Sequence, residues 1–211
     1  MAARIGLFGG TFDPPHIGHF VAALEVREAL GLDMVHLVVA NDPWQKSSVR
    51  EVSPAAGRVE MVRAGIDGVA GLAVCDIELD RGGPSYTIDT VEWVLRGGLG
   101  GALRRPEVTL ILGSDAASGL QSWHRGDDLA RRVDVAVVAR PGEPEWAGLP
   151  EPWRCSTVNV SALAVSSTDI RARVRGGRSI AYLVPDPVVR IIYDRGLYAS
   201  RDEGGRTAHD N

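Results

Sequence analysis

Apolar residues recur along the chain in two alternating patterns, short buried runs and stretches with helical spacing. The short runs predict strands at 5–8, 34–40, 72–79, 108–112, 133–139 and 157–160. The helical spacing, with its capping and proline signals, predicts helices at 17–30, 53–66, 87–95, 127–132, 166–174 and 185–193. Because strands and helices alternate, we expect an α/β fold, a mostly parallel sheet with helices on both faces. A small C-terminal helical part is expected at about 166–198.

Length and composition bound the domain organisation. A chain of 211 residues with ordinary apolar and charged content suits one domain over about 1–200. The glycine-rich stretch 97–101 and the proline-rich stretch 141–152 predict surface loops rather than domain boundaries. The polar tail 201–211 is predicted to be disordered.

Charge and cysteine content narrow the ligand class and the compartment. A net charge of −4 argues against a basic surface for nucleic acid, although a few cations can still hold a small phosphorylated ligand. Cys75 and Cys155 give neither a disulfide framework nor a metal cluster. The N-terminus leads directly into a strand without a signal peptide, and no apolar run reaches membrane-spanning length. We therefore expect a cytoplasmic protein that does not enter a membrane.

The residues with the clearest chemistry follow the first predicted strand, in the stretch GGTFDPPHIGH over 9–19. This turn leads into the first helix at the carboxyl edge of the sheet, where α/β folds bind ligands. Gly9 and Gly10 let the backbone approach a ligand, and the free amides at the helix start favour an anion. His16 and His19 lie three residues apart, so both can reach the space above the helix start. The stretch therefore predicts a phosphate site with two imidazoles.

Other interpretations of this stretch remain open. It is not a Walker A loop, since no Gly-Lys-Ser/Thr follows, and it lacks the G-x-G-x-x-G order of a dinucleotide fold. Asp13, His16 and His19 would offer three metal ligands, but no other Cys or His is spaced to complete a zinc site. We therefore expect no metal held by protein ligands alone. The histidines would also serve as plain helix caps.

A second candidate phosphate site is the stretch SSTDIR over 166–171, at the start of a later helix. Ser167 and Thr168 offer hydroxyls and amides at the helix N-terminus, and Arg171 adds a permanent planar charge on the adjoining turn. Taken alone, the stretch is equally an ordinary capped surface helix with an exposed arginine.

Together the two stretches resemble the signatures of the nucleotidyltransferase superfamily, whose H-x-G-H histidines contact a nucleotide triphosphate. Members that transfer adenylyl groups to pyridine mononucleotides carry both motifs in this order. Further segments resemble the bacterial nicotinate mononucleotide adenylyltransferases: 83–90, 113–115 with Trp123 beyond, and 183–198. The resemblance covers residues 4 to about 198 and implies a Rossmann-like nucleotidyltransferase fold.

The resemblance implies adenylyl transfer from ATP to nicotinate mononucleotide, giving nicotinate adenine dinucleotide and pyrophosphate in NAD biosynthesis. Mg²⁺ would arrive with ATP and keep mostly water and phosphate ligands. By this resemblance the mononucleotide phosphate would attack directly, without a covalent intermediate. The resemblance assigns the following residues to ATP: Gly9, Gly10, Thr11, Phe12, His16, His19, Gly113, Asp115, Ser167, Thr168 and Arg171. The expected catalytic group is Thr11, His16, His19, Lys46 and Arg171.

The resemblance also implies an acceptor pocket, formed by Trp44, Lys46, Ser85, Tyr86, Thr87 and Trp123. Trp123 would stack on the pyridinium ring, while Trp44 is equally a buried anchor of its loop. Amides and hydroxyls at 85–87 suit a carboxylate better than an uncharged amide. The loop 42–46 resembles the actinobacterial form, and Ser114 stands where the family often has Gln or Ala, so contacts there are not transferred.

Three other functions are alternatives. Adenylyl transfer to nicotinamide mononucleotide keeps the same site, and transfer to phosphopantetheine is disfavoured by the P-S-Y-T segment at 84–87. A catalytically silent nucleotide-binding module is disfavoured because His16, His19, Lys46 and Arg171 are all present. The sequence leaves open whether the chain forms a homo-oligomer.

Overall fold

The computed structural model describes residues 2–42, 52–100, 106–139, 146 and 148–200. The predicted residues Trp44 and Lys46, the tail 201–211 and part of the stretch 141–152 lie outside the described residues.

Six parallel strands form one sheet in the order β3-β2-β1-β4-β5-β6. The strands are β1 Arg4–Gly10, β2 Met34–Val39, β3 Leu72–Cys75, β4 Glu107–Gly113, β5 Asp134–Ala139 and β6 Arg154–Asn159. The strand order reverses between β1 and β4, which pair in parallel register with Leu7 opposite Leu110. A doubly wound sheet binds its ligands at such a switch point, so the loop after β1 stands where a ligand is expected.

The helices cover both faces of this sheet. They are α1 Ile17–Leu30, α2 Ala55–Gly65, α3 Ile77–Arg81, α4 Thr87–Leu95, α5 Ser114–Ser118, α6 Gly126–Ala130, α7 Ser167–Arg175 and α8 Asp186–Asp194, with a 3₁₀ turn at Leu120–Ser122. None of the helices in the described ranges is long and apolar enough to span a membrane.

The alternation of side chains along β1 divides the core into two layers. Ile5 and Leu7 pack into the layer that contains α4 and α6, whereas Phe8 packs into the layer that contains α1 and α2. A third apolar cluster joins Met61 of α2 to α7 and α8. These layers confirm the predicted fold class, a parallel sheet with helices on both faces and a C-terminal helical part.

One predicted strand is wrong in its second half. The run 72–79 was expected to be extended, but β3 ends at Cys75 and α3 begins at Ile77. The backbone N–H groups of Leu79 and Asp80 both donate to the carbonyl of Asp76, which closes the first helical turn. A short apolar run does not distinguish a strand from a buried helix, and here the change of period falls inside the run.

Candidate active site

The loop between β1 and α1 is held in a tight shape by Gly10 and Phe12. Phe12 has a φ of 51° and its ring is fully buried. A Cβ on Gly10 would lie 2.7 Å from Cζ of that ring, so only glycine fits beside it. A buried aromatic residue in the left-handed region is costly and persists only where the surrounding structure demands it. The loop is therefore a constrained element rather than a flexible connection.

His16 and His19 form a stacked pair at the start of α1. Their ring centroids are 3.7 Å apart with 28° between the planes. Nδ1 of His19 accepts a hydrogen bond from the backbone N–H of His16 at 3.1 Å. A neutral ring that accepts through Nδ1 carries its proton on Nε2, so His19 keeps a donor on its far side. Capping therefore uses only the Nδ1 edge of His19, so the capping interpretation does not exclude the predicted phosphate site.

Arg171 joins the second predicted phosphate segment to the first. Its guanidinium is buried and donates to the carbonyl of Asp13 at 2.7 Å and to Oγ1 of Thr168 at 3.1 Å. The hydroxyl of Ser167 donates to the carbonyl of Pro14 at 2.8 Å. Ser166 caps α7, since its hydroxyl accepts the N–H of Asp169. The interpretation of 166–171 as an ordinary surface helix with an exposed arginine is therefore wrong.

A cleft of about 220 Å³ opens beside the β1 loop, on the α4 side of the sheet. Seven of the predicted site residues line it: Gly9, Gly10, Thr11, Ser85, Tyr86, Thr87 and Trp123. Its apolar floor comes from strand residues such as Leu7 and Leu110. The ring of Tyr86 stacks on that of His124, with centroids 4.3 Å apart. Aromatic rings and the start of α4 thus line the same small, mostly apolar cleft.

Ser85 helps to hold one wall of this cleft. Its hydroxyl oxygen accepts the backbone N–H of Asn41 at 3.0 Å, and the side-chain amide of Asn41 donates to the carbonyl of Gly83 at 3.1 Å. The segment after β2 and the segment before α4 are therefore tied together. Gly113 and Asp115 lie at the end of β4 and the start of α5, outside the lining of the cleft, and both are exposed.

Residues 7–173 match the model of the family described as cytidylyltransferase-like. The chain belongs to this family. A similar protein from Exiguobacterium sibiricum, named probable nicotinate-nucleotide adenylyltransferase, is 43% identical over 93% of this chain and 100% of its own length. A protein of the same name from Acidothermus cellulolyticus is 42% identical over 97% of this chain and 98% of its own. The resemblance stated from the motifs is thus confirmed.

Solved structures support the fold of this cytidylyltransferase-like chain. The Plasmodium falciparum nicotinic acid mononucleotide adenylyltransferase complexed with NaAD superimposes with a TM-score of 0.72 at 17% identity, covering 93% of this chain and 97% of the other. The same protein complexed with APC gives a TM-score of 0.71 at 16% identity. At these identities the likeness establishes the architecture alone.

Sequence reasoning missed Arg58, which links three segments of the site. It is 1% exposed, and it donates to the carbonyls of Ser53 at 2.8 Å, Thr11 at 2.8 Å and Asn41 at 3.1 Å. The signal was present, because an arginine stood among the apolar positions of the predicted helix 53–66. A guanidinium offers five donors in a fixed plane, which suits a junction of several carbonyls.

Tyr198 is a second missed contact, and it brings the end of the described chain to the β1 loop. Its hydroxyl donates to Oδ1 of Asp13 at 2.7 Å, and Asp13 is itself 1% exposed. Burial, and after it the nearby charge of Asp13, raise the pKa of Tyr198 well above the ordinary value of a tyrosine. The neutral hydroxyl that donates to Asp13 is thereby favoured.

Glu78, the third missed residue, places a carboxylate in the cleft. It lines the cleft and is 6% exposed. Oγ1 of Thr90 lies 2.9 Å from Oε1 of Glu78, and Nη1 of Arg81 lies 3.3 Å from the same hydroxyl. Since Glu78 was assigned to a strand, its burial beside α4 could not be foreseen.

Within the described residues, no group of three His, Cys, Asp or Glu side chains is placed to hold a metal ion.

Proposed function

We propose that the protein transfers the adenylyl group of ATP to nicotinate mononucleotide, giving nicotinate adenine dinucleotide and pyrophosphate. The observation that carries this proposal is the position of the His16–His19 pair. It lies at the end of the loop whose beginning, Gly9 to Thr11, lines the aromatic cleft. A triphosphate at the histidines and a pyridine ring in the cleft would meet over that loop.

The reaction places modest demands on the protein. The 5′-phosphate of the mononucleotide attacks the α-phosphorus of ATP, and the bond from that phosphorus to the bridging oxygen breaks as pyrophosphate leaves. The attacking phosphate is already an anion, so neither a protein nucleophile nor a general base is required. Catalysis then consists of positioning and of stabilising the charge that develops on the phosphate oxygens.

The phosphate-binding roles follow from the donors on the loop and on α7. His16 and His19 would donate to α- and β-phosphate oxygens, beside Thr11 at the reacting centre. Ser167, Thr168 and Arg171 would form the end of the site that holds the β- and γ-phosphates. Arg171 is well suited, because two of its donors already fix it against Asp13 and Thr168. Lys46, outside the described residues, would add a further positive charge.

Further contacts with ATP are assigned to Gly9, Gly10 and Phe12 in the β1 loop and to Gly113 and Asp115. Gly113 and Asp115 would face the nucleoside part of ATP, which fits their exposure beside the β4 end.

Mg²⁺ is proposed to enter as the Mg-ATP complex. Its ligands would then be phosphate and water, as is usual for this ion.

The acceptor would occupy the cleft. Trp123 lines this cleft and would stack on the pyridinium ring, an interaction worth about 0.5–2 kcal/mol. The backbone N–H groups at Tyr86 and Thr87, at the start of α4, would receive the carboxylate of the ring. Ser85 has a supporting part, since its hydroxyl holds Asn41. Trp44 remains a proposed member of the acceptor site.

The test is pyrophosphate release by the purified protein with Mg-ATP and nicotinate mononucleotide, with the dinucleotide product identified by mass. Product formation that depends on both substrates is expected. A protein that binds ATP but makes no dinucleotide from either pyridine mononucleotide would be a silent nucleotide-binding module instead.

A further inference from the structure

Glu78 is oriented by a short relay of hydrogen bonds. A carboxylate only accepts, so the hydroxyl hydrogen of Thr90 points to Oε1 of Glu78 over 2.9 Å. The remaining lone pairs of that hydroxyl are available to Arg81, whose Nη1 donates over 3.3 Å. Within the described residues this is the one hydrogen bond that Glu78 receives, and its other oxygen, Oε2, has none. A carboxylate held in this way at a cleft wall retains the capacity to bind a ligand.

The charged groups around the cleft are divided by sign. In the described part of the chain its lining contains the carboxylates of Glu78 and Asp42, and neither lysine nor arginine. Two buried cations lie instead beside the β1 loop, Arg171 at the carbonyl of Asp13 and Arg58 at the carbonyl of Thr11. The acceptor of the proposed reaction has the matching division, with a phosphate at one end and a positively charged pyridinium ring at the other.

We propose that Glu78 is a specificity-determining residue that recognises the positive charge of the acceptor's pyridinium ring. The inference rests on the proposed function and adds to it a residue that discriminates by ring charge. Because Glu78 is nearly buried, its attraction to a cation is screened far less than at the surface. Trp123 lines the same cleft and offers an aromatic face to the same cation. The ring carboxylate is left to the amides at the start of α4.

The experiment compares an acceptor with a charged ring and one with a neutral ring. Nicotinate mononucleotide and its dihydropyridine form share the carboxylate, the ribose and the phosphate, but only the first has a ring charge. The variant Glu78→Gln keeps the size of the side chain and an oxygen that can accept from Thr90. We expect it to lower kcat/KM for nicotinate mononucleotide about tenfold or more, as removal of a buried charge partner does. For the dihydropyridine form we expect a change under about threefold, and the KM for ATP should be unchanged.

A matched control is Asp89→Asn. Asp89 stands in the first turn of α4, the helix that contains Thr90, and lies outside the cleft lining, so the substitution removes an equal charge from the neighbourhood. The ratio of kcat/KM for the two acceptors should stay at the wild-type value. Thermal unfolding of both variants checks that the fold is intact.

Each other outcome has a defined meaning. An equal loss with both acceptors would overturn the proposal and assign Glu78 to the ribose or to the packing of α4. Improved use of nicotinate mononucleotide would also overturn it, because Glu78 would then face the ring carboxylate. If the wild-type protein makes product but Glu78→Gln leaves the ratio of kcat/KM for the two acceptors unchanged, the role of Glu78 is wrong and the proposed function still holds. If the wild-type protein makes no product at all, both proposals fail.

Discussion

Nδ1 of His19 accepts the backbone N–H of His16, and this single contact separates two functions of one side chain. The Nδ1 edge caps the helix, whereas the proposed phosphate contact uses the Nε2 edge. An asparagine places an acceptor near the Nδ1 position but has nothing at Nε2. The two edges can therefore be tested one at a time.

For His19→Asn we expect a fall in kcat of about a hundredfold or more, as loss of one preorganised donor produces. Its free energy of unfolding should stay near the wild-type value. His19→Ala should lose activity equally and also about 0.5–2 kcal/mol of stability, because the cap is gone. Steady-state kinetics and urea unfolding provide both quantities. Near-native turnover of His19→Asn would remove this histidine from the mechanism.

Arg171→Ala should raise the KM for ATP more than the KM for nicotinate mononucleotide, since Arg171 is assigned to the triphosphate. Lys46→Ala should act in the same direction. The matched control is Arg173→Ala, on the same helix, whose guanidinium pairs with Asp169 at 2.8 Å and is not assigned to substrate. That variant should keep wild-type kinetics. If Arg171→Ala raises only the KM for the mononucleotide, the assignment of Arg171 to the triphosphate is wrong.

The contrast between Arg171 and Arg58 shows where sequence reasoning succeeds. The bounds of α1 and the start of α7 were predicted, because they depend on neighbouring residues such as Gly31, which ends α1 with a φ of 59°, and Ser166, which caps α7. The motifs likewise indicated that Arg171 belongs near the β1 loop. The position of Arg58 among apolar residues indicated a buried arginine, but its three carbonyl partners come from segments that are separate in sequence, so no local pattern identified them. The bond from Tyr198 to Asp13 spans 185 positions and is equally invisible.

Arg58→Lys should destabilise the protein strongly. An ammonium group cannot donate to three carbonyls in the geometry of a guanidinium, and each hydrogen bond to a charged donor that is lost costs about 1.5–3 kcal/mol. We expect a loss of about 2–4 kcal/mol in urea unfolding. Arg63→Lys on the same helix is the control, because its ion pair with Asp76 is exposed and worth about 0–1 kcal/mol. Equal stability of the two variants would contradict the junction.

The raised pKa of Tyr198 predicts that the protein loses stability at high pH. Its pKa is raised in the folded protein, so the unfolded chain releases the hydroxyl proton first, and the folded state becomes less favourable as the pH passes the unfolded pKa of about 10. Tyr198→Phe removes the proton and the bond to Asp13 together. The free energy of unfolding should therefore fall less for the variant than for the wild type between about pH 8 and about pH 11. Parallel curves for the two proteins would show that Tyr198 does not contribute to the alkaline loss.

The choice of acceptor tests the cleft directly, because the two candidate acceptors differ only in a carboxylate or a carboxamide on the pyridine ring. Donors at Tyr86 and Thr87 would form charge-assisted hydrogen bonds with the carboxylate, each roughly twice as strong as a neutral one. The carboxamide would turn an N–H towards those donors and leave buried groups without partners, at about 1–3 kcal/mol each.

Two such mismatches predict a preference for nicotinate mononucleotide of roughly 30-fold to above a thousandfold in kcat/KM. The measurement is kcat/KM for both acceptors at saturating Mg-ATP. Glu78 does not produce this preference, since both rings have the same positive charge, so Glu78→Gln should lower both values and leave their ratio nearly unchanged. Equal use of the two acceptors by the wild-type protein would overturn the assignment of the carboxylate to the start of α4. Adenylyl transfer itself would be unaffected by that result.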